Sequence, residues 1–284
     1  MDIIDPHIHL FDLTQGHYDW LKPSHPPFWS DKALINRSFD CSELTLKDDF
    51  NLTGFVHIEA GFDNEQPWRE IEWLAQNATL PFKGIAAIDI TQPPHLFKQA
   101  IDKLMSYSSV VGGRHILDEQ AYELLSMQSV RENLTYLAQY QFIFETQLNG
   151  TDSAGVEALV NHLAELDDLV VVLNHAGFCP EEDKRVWQQS MVALAQYSNV
   201  FIKASGWEMV NRHYDTDYVS QVVLALITLF GEQRVMLASN FPLCLFSKQY
   251  NQLWHQYLSL GLTEQQQQWL LHDNAARVYQ LQCN

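Results

Sequence analysis

The stretch "DIIDPHIHL", residues 2–10, sets the reading of the whole chain. Ile3 and Ile4 give the apolar lead of a first strand. His7 and His9 then stand at i and i+2, which on a β-strand puts both imidazoles on one face. Such a pair can place two nitrogens on one metal ion. Neighbouring histidines also arise by chance in a chain that holds 12 of them, so the pair gains weight only from the rest of the chain. Seven more short, β-branched runs recur: "GFVHIEA" (54–60), "GIAAIDI" (84–90), "VVGGRHI" (110–116), "FIFETQL" (142–148), "LVVVLNHAG" (169–177), "VFIKASG" (200–206) and "RVMLASNFP" (234–242). Amphipathic stretches long enough for helices lie between most of them, such as "EQPWREIEWLAQNA" (65–78) and "DYVSQVVLALITLFGEQR" (217–234). Alternating strands and helices predict parallel βα units, and eight such units in about 250 residues predict a (β/α)8 TIM-like barrel. An open doubly wound sheet is the alternative. No GxGxxG succeeds the first strand, so a dinucleotide-binding fold has no support.

The 284 residues suit one large barrel domain over 1–284. Hydrophobic residues make up 46% and charged residues only 18%, enough apolar surface for a sizeable core. A formal charge of −18 disfavours nucleic acid and anionic membrane surfaces as partners. An anionic substrate would therefore need a local cationic pocket. No apolar run is long enough to span a bilayer, and no leader pattern opens the chain. Cys41, Cys179, Cys244 and Cys283 are widely spaced and have no CxxC pattern, which reads as reduced thiols in a cytoplasmic protein. The Gln-rich segment "LTEQQQQWLLHDNAARVYQL" (262–281) keeps helical spacing, with Thr263 as N-cap and Gln266 at the capping-box position.

A buried parallel strand should be continuously apolar. These runs break that rule at their C-terminal ends, where a barrel places its active site. His7 and His9, His57 and Glu59, Arg114 and His115, Glu145 and Gln147, Asn174 and His175, Lys203 and Ser205, and Ser239 and Asn240 all fall there. Each has a plain structural explanation: a hydrogen-bonded core histidine, a capping arginine, a Glu145–Lys203 ion pair. Their shared position argues for function, because burying so many polar groups is costly.

Taken in this order, the motifs make the chain resemble the amidohydrolase-related TIM-barrel hydrolases, in the branch of sugar lactonases and sulfomuconolactone or pyrone-type lactonases. The motifs "DPHIHLFD" (5–12), "VVGGRHIL" (110–117), "VVLNHAGFCP" (171–180), "NVFIKASGW" (199–207), "RVMLASNFPL" (234–243) and "NAARVY" (274–279) carry the resemblance along nearly the whole chain. It implies a distorted barrel and hydrolysis of a cyclic ester or related carbonyl compound. It implies a site built from the HxH pair, a strand-6 His and a strand-8 acid. On this chain these positions are His7 and His9, then His175, then Asn240 in the Ser239-Asn240-Phe241-Pro242 segment. The family's Asp binds metal or takes a proton from the attacking water. An Asn side chain is no base near neutral pH, but its carbonyl oxygen can still bind a metal or orient a water.

His7, His9 and His175 are the expected metal ligands, for a divalent ion with zinc first, although some lactonases of similar fold need no metal. Glu59 is the favoured general base, with His57, Glu145 and His115 as the other candidates, and Asn240 is the third catalytic residue beside Glu59 and His115. Arg114, Lys203, His57, Gln147 and Trp207 are expected to bind substrate, the two cations meeting an anionic or sugar-like small molecule. Tyr18 and Trp20 are further pocket candidates. Two other functions stay open: a metal-dependent decarboxylase of an unsaturated or aromatic acid, and a non-catalytic binding protein that has lost the strand-8 acid.

Overall fold

The computed structural model describes residues 1–47 and 50–282, which leaves Cys283 outside the described residues. Eight strands form one sheet in sequence order: β1 (Asp2–Ile8), β2 (Asn51–Ile58), β3 (Phe82–Ala87), β4 (Val110–Ile116), β5 (Ile143–Gln147), β6 (Val171–Leu173), β7 (Val200–Ala204) and β8 (Val235–Leu237). Every neighbouring pair is parallel. The ends meet at a parallel bridge between Ile8 and Phe241, so the sheet is a nearly closed (β/α)8 barrel. The Asp5 carboxylate adds to this seam by accepting from the Ser239 backbone N–H at 3.1 Å and from the Tyr250 hydroxyl at 3.1 Å.

The amphipathic stretches form helices at Trp68–Asn77, Pro94–Met105, Gln128–Gln139, Ser153–Leu163, Arg185–Ala195 and Thr216–Phe230. Their buried residues, among them Ile71, Phe97, Leu134 and Leu226, join the core between helices and barrel. Residues of alternate parity point inward: Ile4, Val56, Ile58, Ile85, Ile143, Val172 and Met236 fill the barrel itself. Ala275, Tyr279 and Leu281 belong to the same cluster, so the C-terminal segment packs against the barrel interior. It starts as the sequence predicts, with Thr263 as N-cap and Gln266 completing a capping box.

β6 and β8 are shorter than their sequence runs. The chain leaves β6 through His175 and Ala176, both at positive φ (54° and 52°), and passes Asn240 after β8 at φ 59°. A non-glycine residue in this region costs roughly 1–3 kcal/mol and persists where its surroundings dictate it. The polar residues at these two ends are thus set by turns and not by strand pleat.

Candidate active site

A cavity of about 620 Å³ opens where the strands end. His9, Glu59, Arg114, Gln147, His175 and Asn240 line it, together with Trp20, Trp29, Phe178 and Met209. Arg114 is 7% exposed and grips Glu59, its Nε donating to Oε1 at 2.8 Å and an Nη2 donating to the same oxygen at 2.5 Å. Burial raises the Glu59 carboxyl above its ordinary range, and the Arg114 charge opposes that shift. Gln147 donates to Asp118 at 2.8 Å. Trp20 presents its indole to the cavity while its Nε1 donates to the Ala60 carbonyl at 2.7 Å.

Beneath the cavity lies a sealed cluster. Lys203 and Glu145 are both 0% exposed and form an ion pair. Glu145 also accepts from Asn174 at 2.8 Å and from the Tyr279 hydroxyl at 3.0 Å. Lys203 Nζ stands 3.5 Å from His7 Nδ1. Burial draws the Lys203 pKa down to about 8, with Glu145 working the other way.

His7, His9 and His175 are held neutral, since burial first and then the nearby cations push each well below the usual histidine range. Neutral imidazole is the form that binds metal. His7 Nε2 and His9 Nε2 are 3.2 Å apart, close to the ~3.3 Å between two nitrogens sharing one tetrahedral ion at about 2.0–2.1 Å. The hydrogen-bond network gives another account of the contact. His9 Nδ1 lies 3.0 Å from the Ile58 and Glu59 carbonyls, which only accept, so its proton sits there and its Nε2 is bare. The Lys203 ammonium donates to His7 Nδ1, which puts the His7 proton on Nε2, aimed at His9. Among the described residues no group of three or more His, Cys, Asp or Glu side chains is placed to hold a metal. The His175 ring sits 4.7 Å from that of His7, with its Nδ1 turned to Ser205 Oγ at 3.0 Å. The three expected ligands converge at one end of the barrel, with the rings of His9 and His175 5.0 and 4.7 Å from that of His7, and His175 Nε2 is left uncommitted by the Ser205 contact. Gly206 makes the His175 placement possible: it has φ +68°, and a Cβ there would come within 2.5 Å of His175 Nδ1.

Four expected substrate or catalytic residues lie away from the cavity. His57 faces outward, because its neighbours Val56 and Ile58 face in; it accepts from the Leu10 N–H at 3.3 Å and meets Glu70 at 3.1 Å. His115 is one residue past the mouth-facing Arg114, and its Nδ1 meets the Ile88 carbonyl at 3.0 Å. Lys203 is spent on Glu145 and His7. Trp207 is buried, its Nε1 donating to the Tyr257 hydroxyl at 2.9 Å. Tyr18 is likewise core, its hydroxyl accepting from the Asp12 N–H at 3.2 Å.

Glu208 has no counterpart among the residues expected from the sequence. It lies beyond β7 in the short helix Trp207–Val210, is 1% exposed, and accepts from Asn240 Nδ2 at 2.6 Å. Burial pushes its pKa up to about 7. Its sequence neighbourhood, "SGWEMV", has no periodicity to mark it, and the missing acid at position 240 was the only available cue.

The family model for amidohydrolases matches residues 4–281, and the chain belongs to that family. The chain is similar to the uncharacterised protein y4mH of Sinorhizobium fredii, at 28% identity over 98% of both chains. It is 29% identical to an L-fucono-1,5-lactonase of Burkholderia multivorans over 39% of this chain and 43% of the other. Among solved structures, an amidohydrolase from Burkholderia multivorans with bound zinc superposes at a TM-score of 0.80, with 18% identity over 99% of this chain and 100% of that one. A probable 2-pyrone-4,6-dicarboxylic acid hydrolase from Acinetobacter baumannii, with citric acid bound, superposes at 0.70, with 17% identity over 99% and 100%. A dihydroxybenzoic acid decarboxylase from Polaromonas with bound manganese superposes at 0.62, with 13% identity over 98% and 96%. At these identities the structural likeness establishes the fold.

Proposed function

We propose that the chain hydrolyses a cyclic ester, and that the substrate is a sugar-like lactone bound at the barrel mouth. The observation that carries this reading is the Arg114–Glu59 pair, set in a cavity that also holds neutral imidazoles, an amide and indole faces. Both side-chain contacts from Arg114 land on Glu59 Oε1. Oε2 is left to take a proton, and burial, by raising the Glu59 pKa, makes the carboxylate a stronger base. Arg114 Nη1 makes neither contact and is left to meet the ester carbonyl oxygen as it gains charge. His9 and His175 are poor bases, being held neutral so firmly, and serve as polar walls.

Hydrolysis begins with a bound water. Asn240 Oδ1 accepts a hydrogen bond from one of its O–H groups, and that proton stays on the oxygen, while Glu59 takes the other proton. The water oxygen bonds to the carbonyl carbon, the ring C–O bond breaks, and Glu59 returns its proton to the leaving oxygen. The product is an open hydroxy acid.

Charge decides the substrate class. Arg114 is already balanced by Glu59, and Lys203 is sealed away. The mouth therefore carries little spare positive charge within a protein of charge −18. A dicarboxylate is poorly served there, whereas a neutral sugar ring has hydrogen-bonding partners and the Trp20 and Trp29 faces. A panel of sugar 1,5-lactones and a pyrone dicarboxylate, monitored by proton release and by carbon dioxide release, tests the proposal. Turnover of a neutral lactone with one proton per event is expected. Carbon dioxide release from an aromatic acid would favour decarboxylation, and no turnover of any lactone would overturn the reading.

A further inference from the structure

Asn240 and Glu208 form a closed pair at the cavity wall. Both are 1% exposed, and Asn240 Nδ2 donates to Glu208 Oε1 at 2.6 Å. Asn240 lines the cavity, whereas Glu208 stands behind it. Among the described residues, Asn240 Oδ1 and Glu208 Oε2 are buried acceptors without a hydrogen-bond partner. Leaving a buried acceptor unpaired costs about 1–3 kcal/mol, so two in one pair call for an explanation. A primary amide offers a donor at one end and an acceptor at the other. An ionised carboxylate only accepts, so it can hold the amide in one orientation alone: nitrogen toward Glu208, oxygen away from it.

We propose that Glu208 is a positioning residue that fixes the Asn240 amide with Oδ1 turned away from the carboxylate, to hold the water that attacks the substrate. Where an acid is expected on strand 8 this chain has the amide of Asn240, and a carboxylate, Glu208, stands one layer behind it. The catalytic part of this inference rests on the hydrolase reading above. Glu208 does not touch the reacting atoms and acts through Asn240.

The positions of acid and amide can be swapped by mutation. Glu208→Gln presents an amide that donates or accepts, so Asn240 loses its fixed orientation. On the lactone that wild type turns over best, kcat should fall about tenfold or more, with KM within twofold. Asn240→Asp alone sets two carboxylates in hydrogen-bond contact, where they must share a proton. Both kcat and Tm should fall. The double variant Glu208→Gln/Asn240→Asp restores one acid and one amide, and kcat should return to within about threefold of wild type. A purely structural Glu208 would not be rescued in kcat by a second change at 240. Hydrogen exchange of the Asn240 side-chain amide reads the orientation without substrate: it should be protected in wild type and fast in Glu208→Gln. A protected amide in a protein that hydrolyses no lactone would leave the pairing intact and sink the hydrolase reading. A fast-exchanging amide in an active wild type, or a double variant no better than the poorer single variant, would overturn the positioning role.

Discussion

Two polar clusters sit one above the other at the strand ends, and each combines a cation, a glutamate, an asparagine and histidine. The lower one joins Lys203, Glu145, Asn174, Tyr279 and His7. The upper one joins Arg114, Glu59, His9, His175 and Asn240. In the lower cluster both Glu145 oxygens are occupied, Oε1 by Lys203 and Asn174 and Oε2 by Tyr279, and no part of the pair reaches solvent. In the upper cluster, among the described residues, Arg114 has an Nη1 and Glu59 an Oε2 left over, beside an open cavity. Depth separates them: the buried pair has both carboxylate oxygens engaged inside the barrel, and an under-used pair at the rim is left to do chemistry.

The largest effect should come from breaking the lower cluster. Lys203→Met strands the Glu145 carboxylate in the barrel interior, and loss of one partner of a buried pair costs about 3–5 kcal/mol. Chemical denaturation should show that loss. A variant as stable as wild type would mean that Lys203 belongs functionally with the mouth. Arg114→Met attacks the upper cluster and should invert the pattern. Turnover should fall by about two orders of magnitude, the scale of one charge-assisted contact in a desolvated site, while stability changes little. A collapse in Tm without a specific loss of kcat would make Arg114 structural.

The pH profile sharpens the comparison next. Glu208, pushed up to about 7 by burial, faces Asn240 and the Arg212 charge and lies near Tyr214 and Cys244. Its pKa is raised, so the ionised form that holds Asn240 is lost as pH falls through about 7. Activity should therefore drop on the acid side, and Glu208→Gln should remove the part of that limb which Glu59 does not supply. An unchanged limb in Glu208→Gln would assign it to Glu59 alone. Dialysis against a chelator should leave turnover within about twofold. Loss of activity restored by zinc would show that the close His7–His9 contact is a chelate and not a hydrogen bond. The smallest effect belongs to His115→Ala: it turns away from the cavity and should alter kcat/KM by less than about twofold, as steady-state kinetics can verify.

The barrel was legible because each strand is a short apolar run and each helix has an amphipathic stripe, so local pattern and global fold agree. The mouth residues Arg114, Glu59, Gln147, His175 and Asn240 were legible as polar groups ending such runs. Parity was the weak point. His57 and His115 share those ends, yet period-two alternation turns them outward, and the sequence does not say which residue of each run points in. Lys203 points inward but sits too deep, a matter of height that a linear pattern does not encode. Glu208 reaches the site through the turn at Gly206, and no local periodicity marks it. The His7–His9 motif illustrates a further limit: the spacing foretold that the imidazoles would meet, while Lys203, 194 residues beyond His9, sets which nitrogen carries the proton.

Glu59 is the centre of the chemistry assigned to the upper cluster. The most direct measurement is kcat/KM of Glu59→Gln on the lactone that wild type hydrolyses best, taken beside its Tm. The amide keeps the shape and a hydrogen bond to Arg114 but cannot take a proton at neutral pH. Turnover should fall by at least about a hundredfold, as loss of a general base does, with Tm within a few degrees of wild type. Activity close to wild type in a folded Glu59→Gln would contradict that assignment and move the base elsewhere in the barrel.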